Sequence, residues 1–530
     1  MASKGCLAME LSPLDLGVFI GFIGLVIGVS LYASRREDTT EDYFLAGRNL
    51  TWGLVGLSLI ASNISTEHFV GMAGQGASDV GMAVASYEWM ATITLVVVAL
   101  VFLPRFLKSG IFTMPQFLEY RYCPAARTIM AFYMTVVLVL VSITAVLYSG
   151  GLALCTIFGE VTIFGQVTLN LSLSIWLIGI LAGIYTVYGG LKAVVWSDLI
   201  QGAALLIGGL IVMFLCFDKV GGFNKFLQSN SEKLHVFLPA DHPEIPWTAL
   251  VIGLWIPNFY YWGLNQFITQ RTLASKSLKQ GQKGILLAAA LKLLIPFIIV
   301  FPGIAAVQLY GDQLQNYDQA YPVLIRNILP AGLRGIMFAA LFGAIMSSLD
   351  SMLNSASTIF TIDLYKRHIK KQASSKNLIA TGRTATALFV VIGCLVAPKL
   401  GSFKGIFHFI QEFQGYISPG ILAAFVFGMI IRRAPASAGV CALLLNVPIY
   451  GALHLLPKFG VIPPFAFLNR IAITFGIIIL LMALLTIWKP LPQPKVISTH
   501  SDLDMTSSVT VKIFGGVLIA ITIALYIIFR

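Results

Sequence analysis

Charge is scarce in this chain. Asp, Glu, Lys and Arg make up 11% of its 530 residues, where a soluble domain carries about 25%. That scarcity excludes a protein with a charged, hydrated surface on every side. Cysteine is also sparse: six residues, at positions 6, 123, 155, 216, 394 and 441, mostly within apolar stretches. No Cys-x-x-Cys and no Cys/His ligand spacing occurs, which argues against disulfides and zinc. Long polar segments are missing too. The longest soluble stretches, near 219–246 and 489–508, are too short to hold an appended signalling domain. What the chain has instead is 57% hydrophobic residues and a mean hydropathy of +0.86. This is the composition of a polytopic membrane protein, for which length-based counting of soluble domains does not apply.

Apolar stretches of the ~20 residues needed to cross a bilayer fall near 13–33, 52–76, 81–104, 126–156, 163–190, 194–218 and 247–271. Others fall near 281–309, 335–365, 379–398, 406–431, 436–456, 464–488 and 509–529. That predicts fourteen spans. The loops on one side hold 23 of the 35 Lys and Arg residues, the other side and the termini hold 11, and Lys292 lies inside a span. The positive-inside rule puts the 23-residue side in the cytoplasm and both termini outside a plasma or inner membrane. The net charge of +12 is therefore mainly topology, and no nucleic-acid partner is expected. The first apolar stretch is longer than a signal-peptide core and is followed, not preceded, by its arginines, Arg35 and Arg36, so it reads as a span.

Two spans are interrupted. Ala61-Ser-Asn-Ile-Ser-Thr-Glu-His68 places polar groups midway through the second. Hydrocarbon cannot satisfy such groups, so they survive at that depth only against protein or a water-filled cavity. The seventh reads Gly253-Leu-Trp-Ile-Pro257-Asn258-Phe-Tyr-Tyr261-Trp-Gly263, whose Pro and Gly predict a break near its middle. The two lie five spans apart and run in opposite directions. Broken helices at equivalent places in inverted repeats point to a transporter's midplane site, although ordinary Pro/Gly kinks produce the same pattern.

The ninth span carries Ser347, Asp350, Ser351, Asn354, Ser355 and Thr358 on one helical face. Small polar residues often only glue membrane helices together, but a carboxylate near mid-span marks a functional site by default. Hydroxyls and freed carbonyls suit a hard cation, and the pattern predicts a monovalent cation held by Ala61, Ile64, Ala344, Ser347 and the adjacent Ser348. Glu88 in the third span and Lys292 in the eighth form either a polyol-binding pair or a structural ion pair. Phe407, Gln411, Gln414 and Ser418 share a face of the eleventh span.

At these residues the chain resembles the sodium/solute symporter family, in its sugar branch, and most of all its bacterial sodium/galactose members. The likeness is carried by Thr40-Glu-Asp-Tyr-Phe-Leu-Ala-Gly47, Ala85-Ser-Tyr-Glu88-Trp89, Tyr188-Gly-Gly190 with Trp196-Ser-Asp198, and Gln270-Arg-Thr-Leu273. It continues in Phe338-Ala-Ala, Ser347-Ser348, Asn354-Ser355 with Thr358-Ile-Phe-Thr361, Gly382-Arg383 and Ile410-Gln411-Glu412. The resemblance implies an all-α, five-plus-five inverted-repeat core of the LeuT type with one extra helix before it and three after. Residues 52–218 and 247–431 would be the two repeats, joined by an external loop at 219–246. Residues 1–51 would hold the extra N-terminal helix, and 432–530 the three C-terminal ones.

It also implies sodium-coupled symport of a hexose or related sugar by alternating access. The sodium ligands implied are the carbonyls of Ala61, Ile64 and Ala344 and the hydroxyls of Ser347 and Ser348. The sugar residues implied are Asn63, His68, Glu88, Asn258, Lys292 and Gln411, with Tyr261 as inner gate and Met72, Tyr87 and Phe407 as outer lid. Asp350 and Ser351, with Asp198 as neighbour, lie where some members hold a second cation, which implies two coupled cations rather than one, with Asp350 holding sodium or a proton. Departures from the galactose pattern are His68 in place of Gln, as in animal sodium/glucose cotransporters, and Ala91 in place of Ser. Myo-inositol, an amino acid or a monocarboxylate are alternative solutes, the last disfavoured by Glu88. A ligand sensor is an alternative of another class. An enzyme is not expected, since His500, Ser501 and Asp504 sit in a linker-like loop.

Overall fold

The computed structural model describes residues 12–33, 39–158, 162–163, 167–168, 170–314, 316–402, 406–496 and 503–530. Phe407, His500 and Ser501 lie outside the residues whose side chains are described. The molecule is helical apart from a two-residue hairpin pairing Thr162–Ile163 with Val167–Thr168. In chain order the helices used below are α1 (Pro13–Ala33), α2 (Trp52–Asn63), α3 (Ser86–Val97), α4 (Pro124–Val137), α5 (Leu171–Val220), α6 (Trp255–Leu264) and α7 (Gln266–Leu273). They continue with α8 (Leu278–Tyr310), α9 (Leu333–Ile359), α10 (Ser375–Val396), α11 (Ile406–Gln414), α12 (Ser418–Ile430), α13 (Ala436–Leu455), α14 (Phe467–Trp488) and α15 (Val509–Ile528).

Ten helices among the described residues are long and apolar enough to cross a membrane, and eleven if the bent pair formed by α11 and α12 counts as one span. The shortfall from the fourteen expected spans falls on segments that are interrupted or short. The second span stops at Asn63 and resumes through a wide turn at Glu67–Met72. In the seventh, Pro257 does not break the chain. It occupies the third residue of α6, in the first helical turn where proline is tolerated. The break comes later, at Asn265, whose extended backbone (φ −74°, ψ 127°) separates α6 from α7. The fifth and sixth expected spans are joined without a loop: α5 runs through both and departs from helical geometry at Gly190 (φ 51°, ψ −161°). Such a positive φ is open to glycine with little strain.

Packing places α9 at the centre. Its membrane-crossing window is 94% buried, against 22% for α14 and α15 and 17% for α1. The centre can therefore hold polar side chains, while the periphery meets lipid. α9 packs against α5, α1 and α10, and α8 packs against α2, α3 and α5. Asp15 of α1 fixes the start of α9: its carboxylate accepts the Gly332 and Gly335 amides at 2.8 and 2.9 Å and pairs with Arg334 at 3.1 Å. A carboxylate at a helix N-terminus also meets the positive end of the helix dipole.

The segment Ala73–Ala77 lies directly against α8, where a side chain at Gly303 would meet the backbone of Ala73. Overpacking of this kind costs about 1–3 kcal/mol. Gly303→Ala is therefore expected to lower the melting temperature of the detergent-solubilised protein by several degrees, on the order of 2–4 °C per kcal/mol for a large chain. Gly17→Ala, with open space around it, is expected to leave it unchanged. Equal melting of the two variants would contradict the close approach.

Candidate functional site

The break in the second span controls the local chemistry. The amide of Ile64 still reaches the Ile60 carbonyl at 2.8 Å, closing α2. The ladder resumes only at the Ser65 carbonyl, which accepts from His68 and Phe69 at 3.0 and 3.4 Å. The carbonyls of Ala61, Ser62, Asn63 and Ile64 thus fall in the gap left by a helix C-terminus. The Ser62 carbonyl accepts from Ser348 of α9 at 3.3 Å. Ala61, Ile64, Ala344, Ser347 and Ser348 are all buried. Each of the two serines donates its proton to an oxygen, Ser347 to Asp198 and Ser348 to Ser62. A hydroxyl oxygen used this way keeps its lone pairs for a cation.

On the other side of the break, Asn63, Glu67, His68, Tyr87, Glu88, Pro257, Asn258, Tyr261, Trp262, Ile410, Gln411 and Gln414 line a cavity of about 60 Å³. That is room for a few waters, well below the 300–1,000 Å³ of a ligand-filled pocket. The polar walls are drawn together instead. Lys292 donates to both Asn63 Oδ1 and Glu88 Oε2 and lies 4.9 Å from the centre of the Trp262 ring. His68 Nε2 stands 3.4 Å from Glu88 Oε1. Asn63 donates through Nδ2 to Tyr261 Oη at 2.9 Å. His68 Nδ1 has no partner among the described residues.

Of the expected sugar residues, Asn63, His68, Glu88, Asn258, Tyr261 and Gln411 reach the cavity wall. Lys292 is fully buried behind Glu88 and Asn63 and does not line it. Asn258 bonds its own helix at the Leu254 carbonyl, 3.1 Å away. Of the expected lid, Tyr87 lines the cavity, whereas Met72 is fully buried away from the wall. Glu67, in the polar break of the second span, and Gln414, on the shared face of the eleventh, also line the cavity, as does Trp262, which the spacing arguments passed over. Trp262 could have been found from its place next to Tyr261.

The second-cation trio is divided. Asp198 and Ser351 share a guanidinium: Arg271 Nη2 donates to Asp198 Oδ2 at 3.0 Å and to Ser351 Oγ, and Nε donates to Ser58 Oγ at 2.5 Å. Asp198 also accepts from Ser58, from Ser62 at 3.1 Å and from Ser347. Asp350 turns elsewhere, accepting from Thr186 at 2.5 Å, with its second oxygen unpartnered among the described residues. Neighbouring positions on a helix point about 100° apart, so Asp350 meets α5 at Thr186 while Ser351 meets Arg271 of α7 and Ser62 of α2. The role of Arg271 went unread, although it stands in the Gln270-Arg271-Thr272 motif just beyond a broken helix.

Residues 43–445 match the model of the sodium:solute symporter family. The chain belongs to that family. It is 42% identical over 478 residues to a sodium/glucose cotransporter of Vibrio parahaemolyticus, covering 84% of this chain and 86% of the relative. It is 37% identical over 526 residues to the uncharacterized symporter YidK of Escherichia coli strain K12, covering 96% and 90%. To human sodium/myo-inositol cotransporter 2 it is 35% identical over 464 residues, covering 80% and 67%. The fold is also that of a sodium-coupled sialic acid symporter solved in a substrate-bound, outward-open state, with a TM-score of 0.78 at 22% identity over 91% of this chain and 99% of that one. The protein is thus a multi-pass membrane symporter of a sodium-coupled family, not an enzyme.

In this symporter Asp198 and Arg271 are both fully buried. Removing one partner of such a pair strands a charge and costs about 3–5 kcal/mol, while removing both costs far less. Arg271→Gln alone is expected to lower thermal stability sharply, and Arg271→Gln combined with Asp198→Asn to recover much of the loss. Additive losses in the double variant would show that the pair is not the connection between these helices.

Proposed function

We propose that this protein carries a hexose or closely related polyol inward with sodium by alternating access. The observation that carries this reading is the shared break at Ala61–Ile64. The Ser62 carbonyl within it accepts from Ser348 of α9, and the side chain of Asn63 faces the cavity. An ion bound to the carbonyls orders the peptide that presents Asn63, and a sugar bound to Asn63 orders the carbonyls. Such coupling acts equally in both directions. Sodium is held by the carbonyls of Ala61, Ile64 and Ala344 and the hydroxyls of Ser347 and Ser348, a donor set suited to a hard cation.

The sugar enters by replacing the bonds that now contract the pocket. Glu88 and Asn63 accept or donate to hydroxyls, His68 and Gln411 complete the polar wall, and Lys292 steadies Glu88 from behind. Tyr261 leaves Asn63 to stack on the sugar and closes the inner side, while Tyr87 and Phe407 cover the outer side. The architecture assigned to this cycle is fourteen spans with two inverted repeats, residues 52–218 and 247–431, and both termini outside. The extended residues Ile64 and Asn265, one at each broken helix, support that pairing. A single sodium is the favoured stoichiometry, since a second cation at Asp198 and Ser351 would compete with the Arg271 guanidinium for the same oxygens.

A sugar is favoured over a carboxylate substrate by Glu88 at the wall, and the similarity to a sodium/glucose cotransporter supports it. The experiment is uptake of labelled glucose, galactose, myo-inositol, proline and lactate into proteoliposomes with and without a sodium gradient. Sodium-driven accumulation of a sugar or of myo-inositol upholds the reading. Accumulation of proline or lactate alone overturns it.

Ser348→Ala is expected to fold, to lose sodium-driven accumulation and to bind sugar with an affinity that no longer rises with sodium. Normal sodium dependence in that variant would remove the ion from this site. Glu88→Gln retains shape but loses a charged acceptor, whose hydrogen bonds contribute about 1.5–3 kcal/mol. Sugar affinity is expected to fall roughly 10- to 150-fold with sodium affinity retained. An unchanged half-saturation for every transported sugar would exclude Glu88 from the binding wall.

A further inference from the structure

The cavity wall at Gln411 and Gln414 is supplied by α11, a helix of only nine residues. It bends by 46° from α12. A half-helix this short has little intrinsic stability, so its position must come from its neighbours. It packs against Glu67–Met72, Leu138–Ile143 and Thr144–Phe158, with Phe409 and Ile410 against Val141 and Ala145, and α13 and α14 add the polar contacts. Asn446, Tyr450 and His454 of α13 stand at i, i+4 and i+8, on one helical face, and each meets a successive part of the bent segment. Asn446 spans the bend, accepting the Gly420 amide at 2.8 Å and donating to the carbonyls of Gly415 (3.3 Å) and Tyr416. Tyr450 lies so close to Gly415 that any side chain there would overlap its ring. His454 reaches Glu412, with Nδ1 at 2.8 Å from Oε1.

Arg470 of α14 completes the arrangement. Its Nη2 pairs with Glu412 Oε1 at 2.8 Å, its Nη1 lies 2.7 Å from His454 Nδ1, and its guanidinium lies 5.6 Å from the Tyr450 ring centre. Glu412 is therefore the one carboxylate on α11 to which both C-terminal helices attach, and it directly follows Gln411. These contacts all involve residues beyond or at the edge of the matched segment 43–445.

His454 Nδ1 cannot serve both neighbours in one state. As a neutral ring with a lone pair at Nδ1 it accepts from Arg470; carrying a proton there it donates to Glu412 and places a second cation against the guanidinium. The charged and titratable groups around the ring are Glu412 and Tyr416 of the bent segment, Arg470 of α14, and Tyr450 and Lys458 along its own chain. His408, 3.6 Å from Glu412 Oε2, shares the same carboxylate. The side chains of Glu412, His454 and Arg470 are 19%, 19% and 11% exposed, so protons reach them.

We propose that α13 and α14 brace the outer half-helix α11, that Glu412 is the positioning residue through which they set Gln411 at the cavity wall, and that His454 makes the brace sensitive to protons. This rests on the cavity being the sugar site. Protonation of His454 trades the bond it accepts from Arg470 for one it donates to Glu412 and sets two cations side by side, which drives Arg470 of α14 from the shared carboxylate and shifts α11, so sugar affinity falls in acid.

The test uses the full chain in proteoliposomes under a sodium gradient with labelled D-glucose, and hydrogen exchange on the same preparations without sugar. Glu412→Gln is expected to raise the glucose KM about tenfold with kcat within about twofold, the size of one charged hydrogen bond lost at a positioning group. Glu412→Asp is expected to recover part of that loss. Wild-type KM is expected to rise about threefold from about pH 7.5 to about pH 5.5, the range in which histidine titrates, and His454→Gln to be flat across it. In Glu412→Gln, exchange protection is expected to fall about tenfold in Ile406–Gln414 and to stay unchanged in α9. An unchanged KM in Glu412→Gln, or a wild-type KM independent of pH, overturns the proposal. If glucose is not transported, the sugar reading is what suffers, and exchange still decides the brace. Loss confined to Ile406–Gln414 upholds it, and protection unchanged there or lost throughout the chain overturns it.

Discussion

A carboxylate and a guanidinium, both removed from water, join four separate helices at the centre of this molecule. Asp198 of α5 collects protons from Ser58 and Ser62 of α2, Ser347 of α9 and Arg271 of α7, and Arg271 returns to Ser58 and Ser351. A buried ion pair is weak evidence for stability in itself, because desolvation offsets most of the attraction. Its consequence here is geometric. Neither charge can leave without stranding the other, so the end of α2, the helix beyond the seventh-span break and the serine face of α9 are held in one register. The Ser62 carbonyl meets Ser348 within this register.

The pocket next to it is held in the opposite manner. Glu88, Lys292, Asn63 and Tyr261 satisfy one another across a cavity of about 60 Å³. These bonds are exchangeable: each can pass to a hydroxyl of a ligand with little change in the number of hydrogen bonds. A fixed pair on one side of a helix break and an exchangeable set on the other allow a ligand to move the break while the scaffold stays in place. The peptide of residues 61–64 is common to both sides, with Ser62 bonded to Ser348 and Asn63 at the cavity.

The C-terminal helices belong to the same design. α14 and α15 are largely lipid-facing, which suggests ornament by burial alone. Yet α13 and α14 supply polar contacts to the bent segment whose half-helix lines the cavity, through Asn446, Tyr450, His454 and Arg470. Short broken helices give a transporter movable parts, and the same shortness deprives those parts of intrinsic stability. Peripheral helices supply what the half-helix lacks.

The sequence by itself determined that the chain lies in a membrane, where its polar breaks fall in the second span, and which residue types meet there. Hydrocarbon tolerates no unsatisfied polar run, so Ala61–His68 had to lie against protein or a water-filled cavity, and Glu88, Lys292, Ser347 and Ser348 stood out as polar residues in apolar company. The position of the second break was not legible. Pro257 reads as a breaker, but in the first turn of α6 it has no helix bond to lose, and the extended residue is Asn265. Nor could spacing say that Asp350 and Ser351 would serve different partners, Thr186 and Arg271, since that depends on how α5 and α7 pack against α9. Lys292 behind the wall, Trp262 upon it and the brace on Glu412 were hidden for the same reason. Periodicity fixes which face of its own helix a residue occupies, but the neighbour that face meets is set by packing between helices far apart in the chain.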